Sequence, residues 1–137
     1  MRSEPVILDT NVFVAAGFKP TGSSAAIIDA VRNRHLPMAW SEATRAETQS
    51  VLRRIPPLGW ERFSDVFDPA GEFRGAIDLT PFDLIADPQD RKFAALAAAT
   101  GGILVSSDGH FLSCRDELPI PVFTPREFAG RMAFGPA

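Results

Sequence analysis

The sequence predicts an α/β fold built on a central parallel sheet, and three observations carry that prediction. Two uninterrupted apolar triplets, Val6-Ile7-Leu8 and Ile103-Leu104-Val105, have the composition of strands buried on both faces. Each leads into an acid, Asp9 at once and Asp108 after Ser106 and Ser107. Segments with helical periodicity lie between and around them, and strands that alternate with helices make parallel sheets through right-handed crossovers. The 137 residues, 45% hydrophobic and 23% charged, suit one ordinary domain spanning 1–137.

The elements follow in order. Val6 to Leu8 is the first strand, and Gly17, Pro20 and Gly22 make the stretch after it read as a loop. "SSAAIIDAVRNRH" reads as a helix, with Ser23 or Ser24 as N-cap and Ile27, Ile28 and Val31 as its apolar stripe. "PMAW", residues 37–40, is a short strand candidate that ends at Ser41, a second cap. A helix then runs to about Arg54, where Ile55-Pro56-Pro57 stops it. Residues 59–73 predict one more helix with Trp60, Phe63 and Phe67 on one side, and a short strand is expected near Ala76 to Leu79. In "DPQDRKFAALAAATGG" Asp87 is the expected N-cap, Pro88 opens the helix, and Phe93, Leu96, Ala97 and Thr100 form its stripe. Gly101-Gly102 ends it. "ILVSSD" is the second buried strand, and "PVF" with a short helix from Pro125 closes the chain.

Bulk properties narrow the function classes. No apolar run approaches the roughly 20 residues of a membrane span, and the amino terminus shows no signal-peptide pattern. Cys114 is the single cysteine, which excludes an intrachain disulfide and a thiolate metal cage. A cytoplasmic protein without a membrane partner is expected. The net charge of −3 argues against a binder that simply coats phosphates. Yet 12 of the 14 basic residues are arginines, which fork onto phosphate; a biased base composition of the genome gives the same excess.

Four acids stand out. Asp9 and Asp108 end parallel strands, whose carboxyl edge is where open α/β sheets bind ligands; each also reads as a turn starter or cap. Glu47 sits among Trp40, Ala43, Thr44, Val51 and Ile55 on the expected inward stripe of its helix. A carboxylate there needs a cation, and Arg45 and Arg54 are the nearest in sequence. Asp90, in the first turn of the helix capped by Asp87, suits the helix dipole without further explanation. Four convergent carboxylates repel one another unless a divalent cation neutralises them, and oxygen ligands select Mg²⁺ or Mn²⁺. One or two such ions clamp a phosphodiester and activate water for in-line attack. Two bound ions would bring the charge from −3 to about +1, suited to an anionic substrate.

"ILDTNVFVAA", "SEATRAETQSVLRR", "DPQDRKFAALAAATGGILVSSDGHFL" and "PVFTPREF" together resemble the PIN domain, and most closely its branch of VapC-type toxin components. The resemblance covers nearly the whole chain. It implies a three-layer α/β/α sandwich and a Mg²⁺- or Mn²⁺-dependent endoribonuclease that hydrolyses RNA with metal-activated water. Residue by residue, it puts the catalytic and metal-ligating acids on Asp9, Glu47, Asp90 and Asp108. Asn11 then falls in the family's "DTN", placed to orient Asp9 or a water, and Ser106 on its Ser/Thr position before the last acid. Where many relatives carry a further acid, this chain has His110, a residue that can touch phosphate, donate a proton or simply start a helix. The implied partners are single-stranded or loop RNA, a cognate antitoxin and a second copy of the chain as a homodimer.

Residues 56–80 lie outside the motifs, and substrate grip would fall there and on the first two helices. "RFSDVF" and "GEFRG" set aromatics beside arginines, which suits stacking on unpaired bases as well as core packing, the commoner use. A haloacid-dehalogenase-like phosphatase needs an acid where Asn11 stands, and it shares with a phospho-receiver domain a lysine after a buried strand. Lys19 and Lys92, the only lysines, are not so placed. The rival from another class is a PIN-shaped protein that binds RNA or a partner without cutting; retention of mutually repelling acids argues against it.

Overall fold

Three parallel strands, β1 (Val6–Leu8), β2 (Ile103–Val105) and β3 (Val122–Phe123), form a sheet in the order β1-β2-β3. The structure, a computed structural model, describes residues 4–133; residues 1–3 and 134–137 of the expected domain lie outside the described residues. Among the described residues six α-helices accompany the strands: α1 (Thr10–Phe18), α2 (Ser23–Arg32), α3 (Glu42–Arg53), α4 (Arg91–Thr100), α5 (Gly109–Leu112) and α6 (Pro125–Ala133). In-register pairing sets Leu8 beside Val105 and Val105 beside Phe123, so the carboxyl ends of the strands are level.

Alternation along the strands divides the core in two. Val6, Leu8, Ile103 and Val105 face a cluster built with Val12, Phe13, Ile27, Ile28, Leu52 and Phe128, from α1, α2, α3 and α6. Ile7, Leu104 and Val122 face Phe93, Leu96 and Phe111, with Phe82 and Ile85. The sheet is therefore covered on both faces, which is the α/β/α layering expected and the reason its strands read as continuous apolar runs.

Several local expectations hold. Ser41 caps α3 in a capping box with Thr44. Gly101 ends α4 in the left-handed region at φ 65°. A Cβ on Gly102 would come within 2.7 Å of the Pro5 carbonyl oxygen, so only glycine lets β2 start this close to β1.

Others are corrected. The stretch after β1 is helix α1, not a loop. It is apolar nearly all round and buried by α2 and α3, so packing rather than an amphipathic period makes it a helix. Gly22, not Ser23 or Ser24, occupies the N-cap of α2. Residues 37–40 make only isolated parallel bridges, Val6 with Met38 and Trp40 with Glu72. No α-helix forms over 59–73; two short 3₁₀ turns, Ser64–Val66 and Pro69–Gly71, stand there instead. Pro69 and Gly71 interrupt the helical spacing. No strand forms near Ala76–Leu79. Phe63 and Phe67 are core residues, Phe67 stacking on Phe13 at 5.3 Å, and so are not available to bases.

Candidate active site

Asp9 follows β1 directly and Ser106 follows β2 directly, and the Asp9 amide donates to the Val105 carbonyl (3.1 Å). Asp9 stands at the N-cap position of α1, yet its side chain makes no capping hydrogen bond. Its carboxylate instead accepts from the buried Ser106 hydroxyl (2.7 Å). The cap explanation therefore fails for Asp9: the acid is turned along the sheet edge. Ser106 Oγ in turn accepts from the Asp108 amide (2.9 Å). Asp108 does act as a cap, accepting from the His110 amide (2.8 Å).

His110 closes the chain of contacts. Its Nδ1 lies 3.0 Å from Asp90 Oδ2 and 3.3 Å from Asp108 Oδ1, so a protonated Nδ1 donates between two carboxylates. Asp9, Ser106, Asp108, His110 and Asp90 thus form one connected polar network at the carboxyl edge. Asp87 caps the turn that holds Asp90, as expected, but that turn is 3₁₀ rather than α-helical. Asp90 ends the 3₁₀ turn Pro88–Asp90 and starts α4 from the N-cap position without using its side chain.

The electrostatics follow from burial and crowding. Only 3% of Asp9 is exposed, and its carboxyl is pushed up to about 6 by burial. The Ser106 hydrogen bond opposes that rise, while repulsion from Asp90 and Asp108 adds to it. Asp90 is raised chiefly by burial, with His110 opposing. His110 is raised by its bond to Asp90 and by the Asp108 charge.

Glu47 makes no hydrogen bond to this network among the described residues. The innermost line of α3 is Thr44, Thr48 and Leu52, about one residue round the helix from the stripe the sequence suggested. Glu47 is consequently half-buried. Its cation is neither Arg45 nor Arg54 but Lys92, whose ammonium pairs with Glu47 Oε1. Arg45 pairs with Glu42 on the surface, and Arg54 turns back to the Ser50 carbonyl. Thr10 and Thr48, the residues that follow Asp9 and Glu47, share a buried hydrogen bond of 2.9 Å that fastens α3 to the start of α1. Asn11 is exposed in the first turn of α1.

Two participants escaped sequence reasoning, Lys92 and Asp87. Asp87, Asp90 and His110 each offer a ligand atom, all within 4.8 Å of one another. That is close to the span of opposite ligands on one small divalent ion, roughly 4 Å. The imidazole of His110 is a donor that suits softer ions, but the carboxylates of Asp87 and Asp90 are the donors that Mg²⁺ and Mn²⁺ accept. The residues fit such an ion, and Asp9 and Asp108 border the same place.

A cavity of about 780 Å³ lies elsewhere, between Pro5, Met38, Asp68, Phe73 and Thr100, and none of the four acids lines it. It opens at the amino edge of the sheet, where β1 and β2 begin. No helix among the described residues is long and apolar enough to cross a membrane.

The PIN domain family model matches residues 5–110, from the residue before β1 to His110. No curated protein and no solved structure matches the chain.

Proposed function

Because the chain belongs to the PIN-domain family, whose members are generally nucleases, we propose that it is a Mg²⁺- or Mn²⁺-dependent endoribonuclease. Its site is the carboxyl edge formed by Asp9, Glu47, Asp90 and Asp108. The single observation that carries this reading is the network in which Ser106 and His110 tie Asp9, Asp108 and Asp90 together. Like charges are gathered there at a cost to the fold, and a divalent ion is what relieves that cost.

A divalent ion held by these carboxylates would lower the pKa of water to give a nucleophile at neutral pH and would offset charge on the scissile phosphate. The chain's own residues do the rest. Asp9, fixed by its strand and by Ser106, would be the central ligand of such an ion. Asp90 and Asp108 are set by His110, and Asp87 stands beside them. Nothing supports covalent attack by a side chain. Ser106 is fully buried, its hydroxyl held between Asp9 and the Asp108 amide, and Cys114 Sγ is turned to the His110 carbonyl, with its thiol raised by burial.

We read the biological role as the toxin component of a toxin–antitoxin pair, supported by the motif resemblance. The cognate antitoxin would lay a segment over the acid edge and present a basic side chain to it. Single-stranded or loop RNA is the proposed substrate.

The test is cleavage of mixed tRNA, rRNA and mRNA in Mg²⁺, Mn²⁺ and EDTA. Wild type should cut only with metal, Asp9→Asn should be inactive though folded, and Asp90→Asn should lose less. Equal cleavage by Asp9→Asn would remove the carboxyl edge from the mechanism.

A further inference from the structure

Lys92 is a cation where neither the helix nor the solvent favours one. It is the second residue of α4, at the end where the backbone dipole is positive and where an acid would be preferred. Its side chain is only 16% exposed and that of Glu47 only 27%. The ammonium bends back toward the start of the helix, donating to Glu47 Oε1 and to the Gln89 carbonyl (2.6 Å). Among the described residues it is the one lysine or arginine that pairs with any of the acids Asp9, Glu47, Asp90 or Asp108. An ammonium has three donors, and two are engaged. The aliphatic stem is flexible, which suits a charge that must serve more than one partner.

Resting on the nuclease reading above, we propose that Lys92 is the resident counter-cation of the site and its substrate clamp. In the metal-free protein it holds Glu47; when a divalent ion takes Glu47, the freed ammonium turns to a phosphate of the RNA. Glu47 cannot satisfy a close ammonium and an inner-sphere divalent ion equally, so the two cations compete for it. This explains why the half-buried glutamate has a partner without metal, and why that partner is a lysine on a flexible stem rather than a forked arginine. A fixed ion pair joining α3 to α4 is the simpler alternative, and it makes the opposite prediction for metal affinity.

The experiment measures Mn²⁺ affinity calorimetrically, and then binding of a phosphorothioate oligoribonucleotide across a salt series with and without Mn²⁺. Wild type, Lys92→Met, Lys92→Gln and Lys92→Arg are compared. Removing the competing cation should tighten Mn²⁺ binding roughly two- to fivefold in Lys92→Met and Lys92→Gln, the scale of a partly exposed ion pair. In Mn²⁺ the same variants should bind the oligoribonucleotide more weakly. The slope of log affinity on log salt should fall by about 0.7, one single-strand phosphate contact. Lys92→Arg should restore much of that binding. Mn²⁺ affinity unchanged or weakened in both neutral variants, or an unchanged salt slope, overturns the proposal while wild-type metal binding and cleavage leave the nuclease reading standing. Wild type that binds no Mn²⁺ overturns both.

Discussion

Asp9 shows how much one residue is asked to bear. Its folded carboxyl keeps its proton up to about pH 6, whereas in the unfolded chain it loses it near the ordinary value of 3.8. Because the folded value is raised, this group makes the metal-free protein less stable as pH climbs from about 4 to 6, and the deficit persists above. Asp9→Asn keeps an oxygen to accept from Ser106 and removes the charge. We expect it to stabilise the metal-free protein at pH 8 by roughly 1–3 kcal/mol and to abolish any thermal shift given by millimolar Mn²⁺. Denaturant melts of both proteins at pH 4 and pH 8 check this; a variant less stable than wild type at pH 8 would contradict it. Ser106→Ala is the complementary change. It strips Asp9 of its hydroxyl donor, so the Asp9 carboxyl should rise further and the onset of Mn²⁺ binding should move to higher pH, visible in a titration of metal affinity against pH.

At the scale of elements, helix ends illustrate what is decided locally. Gly101 alone takes the left-handed turn that closes α4, with open space around the position of a Cβ. Gly101→Ala should therefore cost about 1 kcal/mol through backbone strain alone, with metal binding unchanged. The start of α6 is fastened by a reciprocal pair: Glu127 accepts from the Thr124 amide (2.8 Å), and the Glu127 amide donates to Thr124 Oγ1 (3.1 Å). Arg115 adds a two-pronged contact to the same carboxylate. These partners, Arg115 first, hold the Glu127 carboxyl down at about 2. The stability this depressed acid contributes is complete above about pH 4.5 and is lost as pH falls toward 2. Glu127→Gln should flatten that part of the acid limb of thermal melts.

The same scale explains what was legible. Ser41, Gly101 and the two strand-end acids announced themselves because caps and buried parallel strands are local or nearly local patterns. Helix α1 did not, since "TNVFVAAGF" has no polar face and owes its shape to α2 and α3. Trp60, Phe63 and Phe67 imitated a helical stripe. They are instead an aromatic knot, Trp60 and Phe67 lying 5.2 Å apart and Trp40 meeting Phe67 at 5.7 Å, held by 3₁₀ turns. Asp87 satisfied its cap role, with the Gln89 amide at 2.9 Å, and so hid its second position beside Asp90 and His110. Lys92 was visible only as a lysine at the wrong end of a helix.

Across the whole molecule, the fold divides labour between two edges of one sheet. The amino edge carries the cavity of about 780 Å³, which none of the four acids lines. The carboxyl edge carries Asp9, Asp108 and Asp90, gathered from distant sequence positions by a parallel pairing that levels the strand ends. On the proposed function, a net charge of −3 would keep such a surface from gripping RNA unaided. Metal binding is thus expected to switch on substrate affinity as well as chemistry. The most direct test of the account is end-group analysis of RNA products formed with Mn²⁺ and with excess EDTA. Attack by water predicts 5′-phosphate and 3′-hydroxyl ends, formed only with metal and without need of the substrate 2′-hydroxyl. Products ending in 2′,3′-cyclic phosphate, or equal cleavage in EDTA, would contradict it.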